Sequence, residues 1–296
     1  MRDRKKAFII GGSGFIGSHV ADELSSRGVE VTIYDQAQSS YLREDQQFIA
    51  GSVLDCDKMI EASKGADYIY NFAAIADIDE AKGKPIQSAE INILGTINAL
   101  EAAKVNKAQR FVLASSIYVN SSSGSFYRIT KQASEAYVKE YHSRYHLPYS
   151  ILRYGSLYGP RSDQRNTIYR FVAQALKEHK IKYEGPMESI RQYIHAFDAA
   201  KLSYEILDEQ YANQTFTLTG TETYNINEVV ILIEEMLGNS LSIDSLSNPD
   251  DDSHYVITPY RHQRDISKKL ISNDQISFQE GLLSLISELD KCETVE

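Results

Sequence analysis

A doubly wound α/β fold, a parallel sheet with helices on both faces, is the architecture this sequence predicts, followed by a smaller mixed α/β region. Three observations predict it. Short apolar runs alternate with amphipathic helical patterns through the first half; a glycine-rich turn joins the first such run to the first helix; and the alternation becomes irregular after about residue 156. Strands that alternate with helices pair in parallel, because each return crosses one face of the sheet.

The elements follow in order. AFII (7–10) reads as a buried strand and 15–27 as an amphipathic helix, with VEVTIYD (29–35) the next strand. QQFIAGSV (46–53), ADYIYNFAA (66–74) and QRFVLASS (109–116) continue the strands, and YSILRYGSLYG (149–159) reads as a sixth. Residues 89–106 and 130–146 carry apolar positions at spacings of three and four, the period of a helix face. Beyond them, 166–180 and 225–238 read as helices and the acidic, proline-interrupted tract SLSNPDDDSHYV (245–256) as a solvated loop.

A chain of 296 residues with 42% hydrophobic content can bury one large or two smaller cores. Its 24% of charged residues is ordinary for a soluble protein. The formal charge of −10 argues against nucleic acid and anionic membranes as partners. Cys56 and Cys292, far apart in the chain, are expected to be reduced, which fits a cytoplasmic location. The basic start MRDRKKAFIIGG runs into glycines before any signal-peptide core is built, and no run approaches the ~18 apolar residues of a membrane span.

In IIGGSGFIGSHVADEL, Gly11, Gly14 and Gly17 stand between the first strand and the first helix. That spacing supplies a tight turn, a close approach of backbone to a pyrophosphate and close packing of helix on strand, as in a Rossmann dinucleotide site. Phosphate would sit at the helix N-terminus, beside Phe15 and Ile16, where unpaired N–H groups favour negative charge. Asp35 ends the second strand, where a carboxylate accepts from the adenosine ribose and repels a 2′-phosphate. The following QAQSS offers no cation for that phosphate, so NAD is expected rather than NADP, and no metal is expected.

Ser115 and Ser116 fall at the carboxyl end of the fifth strand, the edge along which open α/β sheets bind ligands. Tyr127 and Lys131, four apart at the start of a helix, share one face. A free tyrosine, with a pKa near ~10, is a poor base. A neighbouring ammonium and an oxidised nicotinamide would both favour its phenolate, which can then exchange a proton with a sugar hydroxyl.

With these motifs in order, the chain resembles the extended short-chain dehydrogenase/reductases, the NAD-dependent epimerase/dehydratase group acting on nucleotide sugars. The resemblance rests on GGSGFIG (11–17), NFAAIADIDEAKGKPIQSAEINILGTINALEAA (71–103), FVLASSIYV (111–119), YRITK (127–131), ILRYGSLYGPR (151–161), RQYIHAFDAA (191–200) and RDISKKL (264–270). It implies Ser116, Tyr127 and Lys131 as catalytic residues. It implies a cofactor site of Gly11, Gly14, Phe15, Ile16, Gly17, Asp35, Ser52, Val53, Ala73, Asn92, Tyr127, Lys131 and Tyr154. Ser116, Ser156, Arg191, Arg261 and Arg264 would contact a nucleotide-diphosphate sugar. It further implies a NAD-binding domain at 1–155 and a substrate region at 156–296, with part of about 186–220 returning to the first domain. Helices 89–106 and 130–146 would pair into a homodimer.

Dehydratases of this group resemble one another in an acid pair after the catalytic serine or threonine; here Ile117 and Tyr118 follow Ser116. Dehydration and glucuronate decarboxylation are therefore disfavoured, which leaves hydride chemistry. A 4-epimerase would pass through a transient 4-keto sugar, with Tyr127 as acid and base. A nucleotide-sugar reductase or dehydrogenase would use the same residues, and a non-catalytic NAD sensor would not require both Tyr127 and Lys131. Three departures stand out: only ten residues separate Ser116 from Tyr127, Ser52 replaces an aspartate, and Ser156 replaces an asparagine of the usual pattern.

Overall fold

The computed structural model describes residues 4–238, 240–246, 268–271 and 274–293. The chain runs β1 (Lys6–Ile10), α1 (Phe15–Ser26), β2 (Glu30–Asp35), β3 (Gln46–Ala50), α2 (Cys56–Ala62) and β4 (Tyr68–Asn71). Short helices α3 (Ile78–Gly83) and α4 (Pro85–Ser88) lead through a π-helical turn (Ala89–Leu94) into α5 (Gly95–Val105). Then come β5 (Arg110–Ser116), a 3-10 turn (Ile117–Asn120), α6 (Ser125–Tyr145) and β6 (Tyr149–Tyr154). The second half contains β7 (Ser156–Tyr158), α7 (Thr167–Glu178), β8 (Lys180–Glu184), β9 (Ile190–His195), α8 (Ala196–Glu205) and β10 (Gln214–Leu218). It ends with β11 (Thr223–Asn225), α9 (Ile226–Leu237), β12 (Ser242–Leu246), β13 (Lys268–Leu270) and α10 (Phe278–Glu293).

Eight strands form one parallel sheet in the order β3-β2-β1-β4-β5-β6-β10-β13. The chain moves outward from β1 to β3 and then crosses back to β4, so the winding reverses between β1 and β4. In open sheets, ligands bind at the carboxyl ends of strands flanking such a reversal. The central position of β1 explains its unbroken apolar run: Ala7 and Ile9 enter a core with α1 and α8, while Phe8 and Ile10 enter another with α2, α5 and α6. A third core, with Phe171, Val172, Ile181, Val229, Ile233, Phe278 and Leu282, holds the smaller sheets β11-β9-β7 and β12-β8.

Several elements differ from the sequence reading. The predicted sixth strand is two strands in two sheets: β6 closes at Tyr154 and β7 opens at Ser156. Between them Gly155 donates to the Leu218 carbonyl at 2.8 Å, and a Cβ there would lie 2.7 Å from the Thr219 side chain. The predicted 46–53 strand stops at Ala50, because Gly51 lies flat against Tyr34, whose ring a Cβ would meet at 2.2 Å. Helix α6 starts at Ser125 rather than 130, after Gly124 turns the chain at φ +107°. The tract 245–256 begins within β12, and its remainder lies outside the described residues. Tyr193 of β9 belongs to the third core, whereas Ile194 and α8 residues Ala199 and Leu202 pack in the first. Among the described residues no helix is long and apolar enough to cross a membrane.

Candidate active site

The carboxyl ends of β1, β2 and β4 shape the first part of the site. Gly11 adopts φ +76°, donates to the Tyr34 carbonyl at 2.9 Å, and lies so near β4 that a Cβ would sit 2.5 Å from the Ala73 nitrogen. A Cβ on Gly17 would lie 2.3 Å from the Gly11 carbonyl oxygen, so only glycine lets α1 pack this closely on the turn. Gly14 is the N-cap of α1 and has ordinary φ; no side chain caps the helix, which leaves its first N–H groups, around Phe15, Ile16 and Gly17, directed out of the turn. Asp35 braces this loop, accepting the Ser13 N–H at 3.0 Å and the Gln36 N–H at 2.7 Å. The cradle fits a dinucleotide: room that a Cβ would remove, uncapped N–H groups for pyrophosphate, and a carboxylate at the ribose end.

Several residues expected at the cofactor contribute differently. Ser52 accepts the Leu54 N–H on its hydroxyl and the Tyr34 hydroxyl on its carbonyl, while Val53 packs against Gly95 and accepts from Asn98. The Ala73 N–H donates to Asn71 Oδ1 at 3.2 Å. Asn92, buried in the π-helical turn, accepts the Ile75 N–H at 2.8 Å and donates to the Ile75 carbonyl and to Thr130 Oγ1. Its side chain therefore links the loop after β4 to α6. Tyr154 turns its hydroxyl into the core, 2.6 Å from Ser203 Oγ, so what it can offer a cofactor is main chain.

Ser116, the last residue of β5, faces Tyr127 on the first turn of α6, and its Oγ accepts the Tyr118 N–H at 3.3 Å. The Tyr127 ring packs with Ile75 and Ile78 and stands edge-on to Tyr118, with centroids 6.4 Å apart. Burial pushes Tyr127 up to about 12, and the Ser116 hydroxyl pulls the other way. Lys131 lies one turn along, its Nζ 5.9 Å from the Tyr127 ring centre and donating to the Ala114 carbonyl at 2.8 Å. Burial lowers Lys131 to about 8, opposed by Glu135. A phenol held in its neutral form beside a marginal ammonium becomes a base only when further positive charge arrives next to it.

Glu135 and Arg153 were not anticipated from sequence. Arg153 donates from Nε and Nη2 to the two carboxylate oxygens of Glu135, at 2.9 and 2.6 Å, and Ser115 Oγ donates to Glu135 at 2.6 Å. Two signals were present: Glu135 extends the Tyr127, Lys131 spacing by four, and Arg153 puts a charge inside a strand that reads as buried. Arg191 and Ser156 fall in the small sheet, where Ser156 is in register with Tyr193, two residues along β9 from Arg191. Arg191 is buried and donates from Nη1 to the Ile190 carbonyl at 3.1 Å. Arg261 and Arg264 lie outside the described residues.

The family model described as "NAD dependent epimerase/dehydratase family" matches residues 7–226, spanning the glycine turn, β5, α6 and β9. The chain belongs to this family. Enzymes of the NAD dependent epimerase/dehydratase family use NAD, which is therefore this chain's cofactor. A putative UDP-glucose 4-epimerase of Methanocaldococcus jannaschii is 28% identical over 254 residues, covering 78% of this chain and 82% of that protein. A UDP-N-acetyl-alpha-D-glucosaminuronate decarboxylase of Bacillus cytotoxicus is 30% identical over 266 residues, covering 81% and 83%. The fold matches the crystal structure of a UDP-glucuronic acid 4-epimerase from Bacillus cereus with a TM-score of 0.85 at 22% identity, over 97% of this chain and 99% of that one. Epimerases and decarboxylases are thus both among the relatives this chain resembles.

Proposed function

We propose that the protein is a nucleotide-sugar 4-epimerase. The observation that carries the reading is the juxtaposition of Ser116 and Tyr127, with Lys131 one turn away, and Ile117 and Tyr118 following Ser116 where dehydratases would carry acids. Tyr127 removes the proton of the C4 hydroxyl, and Ser116 holds the same oxygen as it becomes a carbonyl. Lys131 stabilises the phenolate through its ammonium and is itself oriented by the Ala114 carbonyl. Bound NAD supplies hydride acceptance and return. After the 4-keto sugar has turned over, Tyr127 returns the proton to the new C4 oxygen. The named relatives support a UDP-sugar as substrate, and the nearness of Arg191 and Ser156 on the small sheet supports a shared role for them at its diphosphate.

Among the described residues, the carboxylate that acts on Lys131, that of Glu135, is held by Arg153 and Ser115, which supports epimerisation over decarboxylation. A homodimer is supported by the exposed apolar side chains of the α5 and α6 region, namely Leu94, Val105, Phe126, Ile129, Tyr137 and Tyr145. The acidic chain and the free Cys56 thiol support a cytoplasmic site of action.

Incubation of the purified protein with UDP-, GDP-, dTDP- and CDP-sugars, with no cofactor added, tests the reading. C4 epimers of one sugar should interconvert without net change in NADH absorbance. Conversion that consumes NAD or NADH stoichiometrically would overturn epimerisation in favour of a dehydrogenase or reductase.

A further inference from the structure

Three consecutive residues of β5 are tied to three successive turns of α6. Ser116 meets Tyr127, the Ala114 carbonyl accepts from Lys131, and Ser115 donates to Glu135. Residues 127, 131 and 135 form one stripe, so these attachments lie along a single line of the helix. A helix held at one turn can roll or slide; a helix held at three has one register.

The third attachment is the best anchored. Glu135 and Arg153 are 4% and 5% exposed, and the guanidinium engages both carboxylate oxygens in a planar fork. Arg153 stands in register with Ser115 across the β5–β6 pair, and its Nη1 reaches Asn120 Oδ1 at 3.4 Å. One ion pair therefore joins α6, β5, β6 and the 3-10 turn after the catalytic serine. Neither residue takes part in proton or hydride transfer, and a buried ion pair is weak evidence for a stabilising role, since apolar groups of equal volume often serve as well.

We propose that Glu135 and Arg153 are positioning residues, whose buried fork fixes the register of α6 on β5 and thereby holds Tyr127, Lys131 and Ser116 in reacting geometry. The carboxylate also sustains the ammonium of Lys131. This rests on Tyr127 as the acid and base of the proposed reaction. Among the described residues, the titratable groups that act on Lys131 are Tyr127 and Glu135 on its own helix, Glu135 being paired in turn with Arg153 on β6; β5 meets it with the Ala114 carbonyl.

The test uses the full-length holoenzyme with Glu135→Gln, Ser115→Ala and the paired E135M/R153M. Lys131 is titrated by NMR of 13Cε-labelled lysine, and kcat and KM are followed against pH. In E135Q the Lys131 midpoint should fall by about one unit or more, and the alkaline limb of kcat should fall with it, because the ammonium is lost earlier. E135Q should lower kcat at least roughly tenfold with KM changed less than about threefold, the split expected when ground-state binding survives. Ser115→Ala spares both charges and should leave the Lys131 midpoint in place. E135M/R153M covers the case in which E135Q does not fold; it should remain folded and NAD-bound while kcat falls. A folded E135M/R153M protein with wild-type kcat, or an E135Q protein with an unmoved Lys131 midpoint, overturns the proposal. If the wild-type protein turns over no nucleotide sugar, the epimerase reading fails, and the Lys131 titration, which needs no substrate, still decides the positioning role.

Discussion

At the scale of single residues, the site depends on charges that burial makes unstable. Tyr127 at about 12 and Lys131 at about 8 are both shifted by burial toward their neutral forms, so in the proposed reaction added positive charge beside Tyr127 favours its phenolate. Tyr127→Phe removes the proton path and leaves the cradle intact. It should lower turnover by about 10²–10⁴-fold, with bound NAD retained as seen by its absorbance. Asp35, which we propose sets the cofactor choice, also holds the Ser13 N–H. Asp35→Ala should raise the Kd for NAD at least about tenfold, since hydrogen bonds to a charged group contribute roughly 1.5–3 kcal/mol, and should narrow the preference over NADP. Isothermal titration with both nucleotides checks it. The clustering of Ser116, Tyr127 and Lys131 was legible because it is local: a strand end and one helical turn. The roles of Asn92 and Tyr154 were not, because their side chains answer to partners at Ile75, Thr130 and Ser203 that no spacing in the chain reveals.

At the scale of elements, the glycine turn is the part least tolerant of change. A methyl group on Gly17 meets backbone rather than a side chain that can swing aside. Gly17→Ala should therefore destabilise the protein by about 1–3 kcal/mol, as overpacking does, and weaken NAD binding by moving α1 off the turn. Thermal melts with and without NAD separate the two effects, because ligand binding adds a concentration-dependent increment. Strand periodicity gave the six strands of the first half nearly in place, since continuous apolar runs mark a sheet buried on both faces. It failed where one run, 149–159, serves two sheets. Local sequence cannot say that the chain changes sheets at Gly155; that is set by the approach of Leu218 and Thr219 from β10.

For the whole molecule, the junction between the main sheet and the smaller lobe carries its own pH dependence. His19 of α1 and His195 at the start of α8 flank Phe197, with ring centres 5.2 and 4.9 Å from it, and His19 Nε2 lies 2.9 Å from the Pro160 carbonyl. Burial lowers both imidazoles to about 4. Their folded values lie below the unfolded one, so the stability they contribute is present above pH 6.5 and lost as pH falls through 4. Each contributes about 3 kcal/mol at most. Asp198, raised by burial to about 6, acts in the opposite sense: its contribution is full below pH 3.8 and lost as pH rises through 6. Two imidazoles outweigh one carboxyl, so Tm should drop between pH 6.5 and 4.5, and His19→Gln should flatten that drop. Melts of the two proteins across this range decide it.

The ten-residue link between Ser116 and Tyr127 also has a consequence for protein engineering. Its fixed parts are its ends: the 3-10 turn reaches Arg153 through Asn120, and α6 is anchored along its stripe. Between them, Ser121 to Gly124 forms a turn in which the Ser123 N–H donates to Ser121 Oγ and Arg128 of α6 donates to the Ser121 carbonyl at 3.0 Å, with Gly124 in the left-handed region. Loop length at that point is decoupled from the chemistry at either end, and doubling it adds only about 0.6 kcal/mol of closure entropy. Residues 121–124 are thus the place at which to exchange loops when the proposed sugar pocket is re-engineered, with Arg128 retained to hold Ser121.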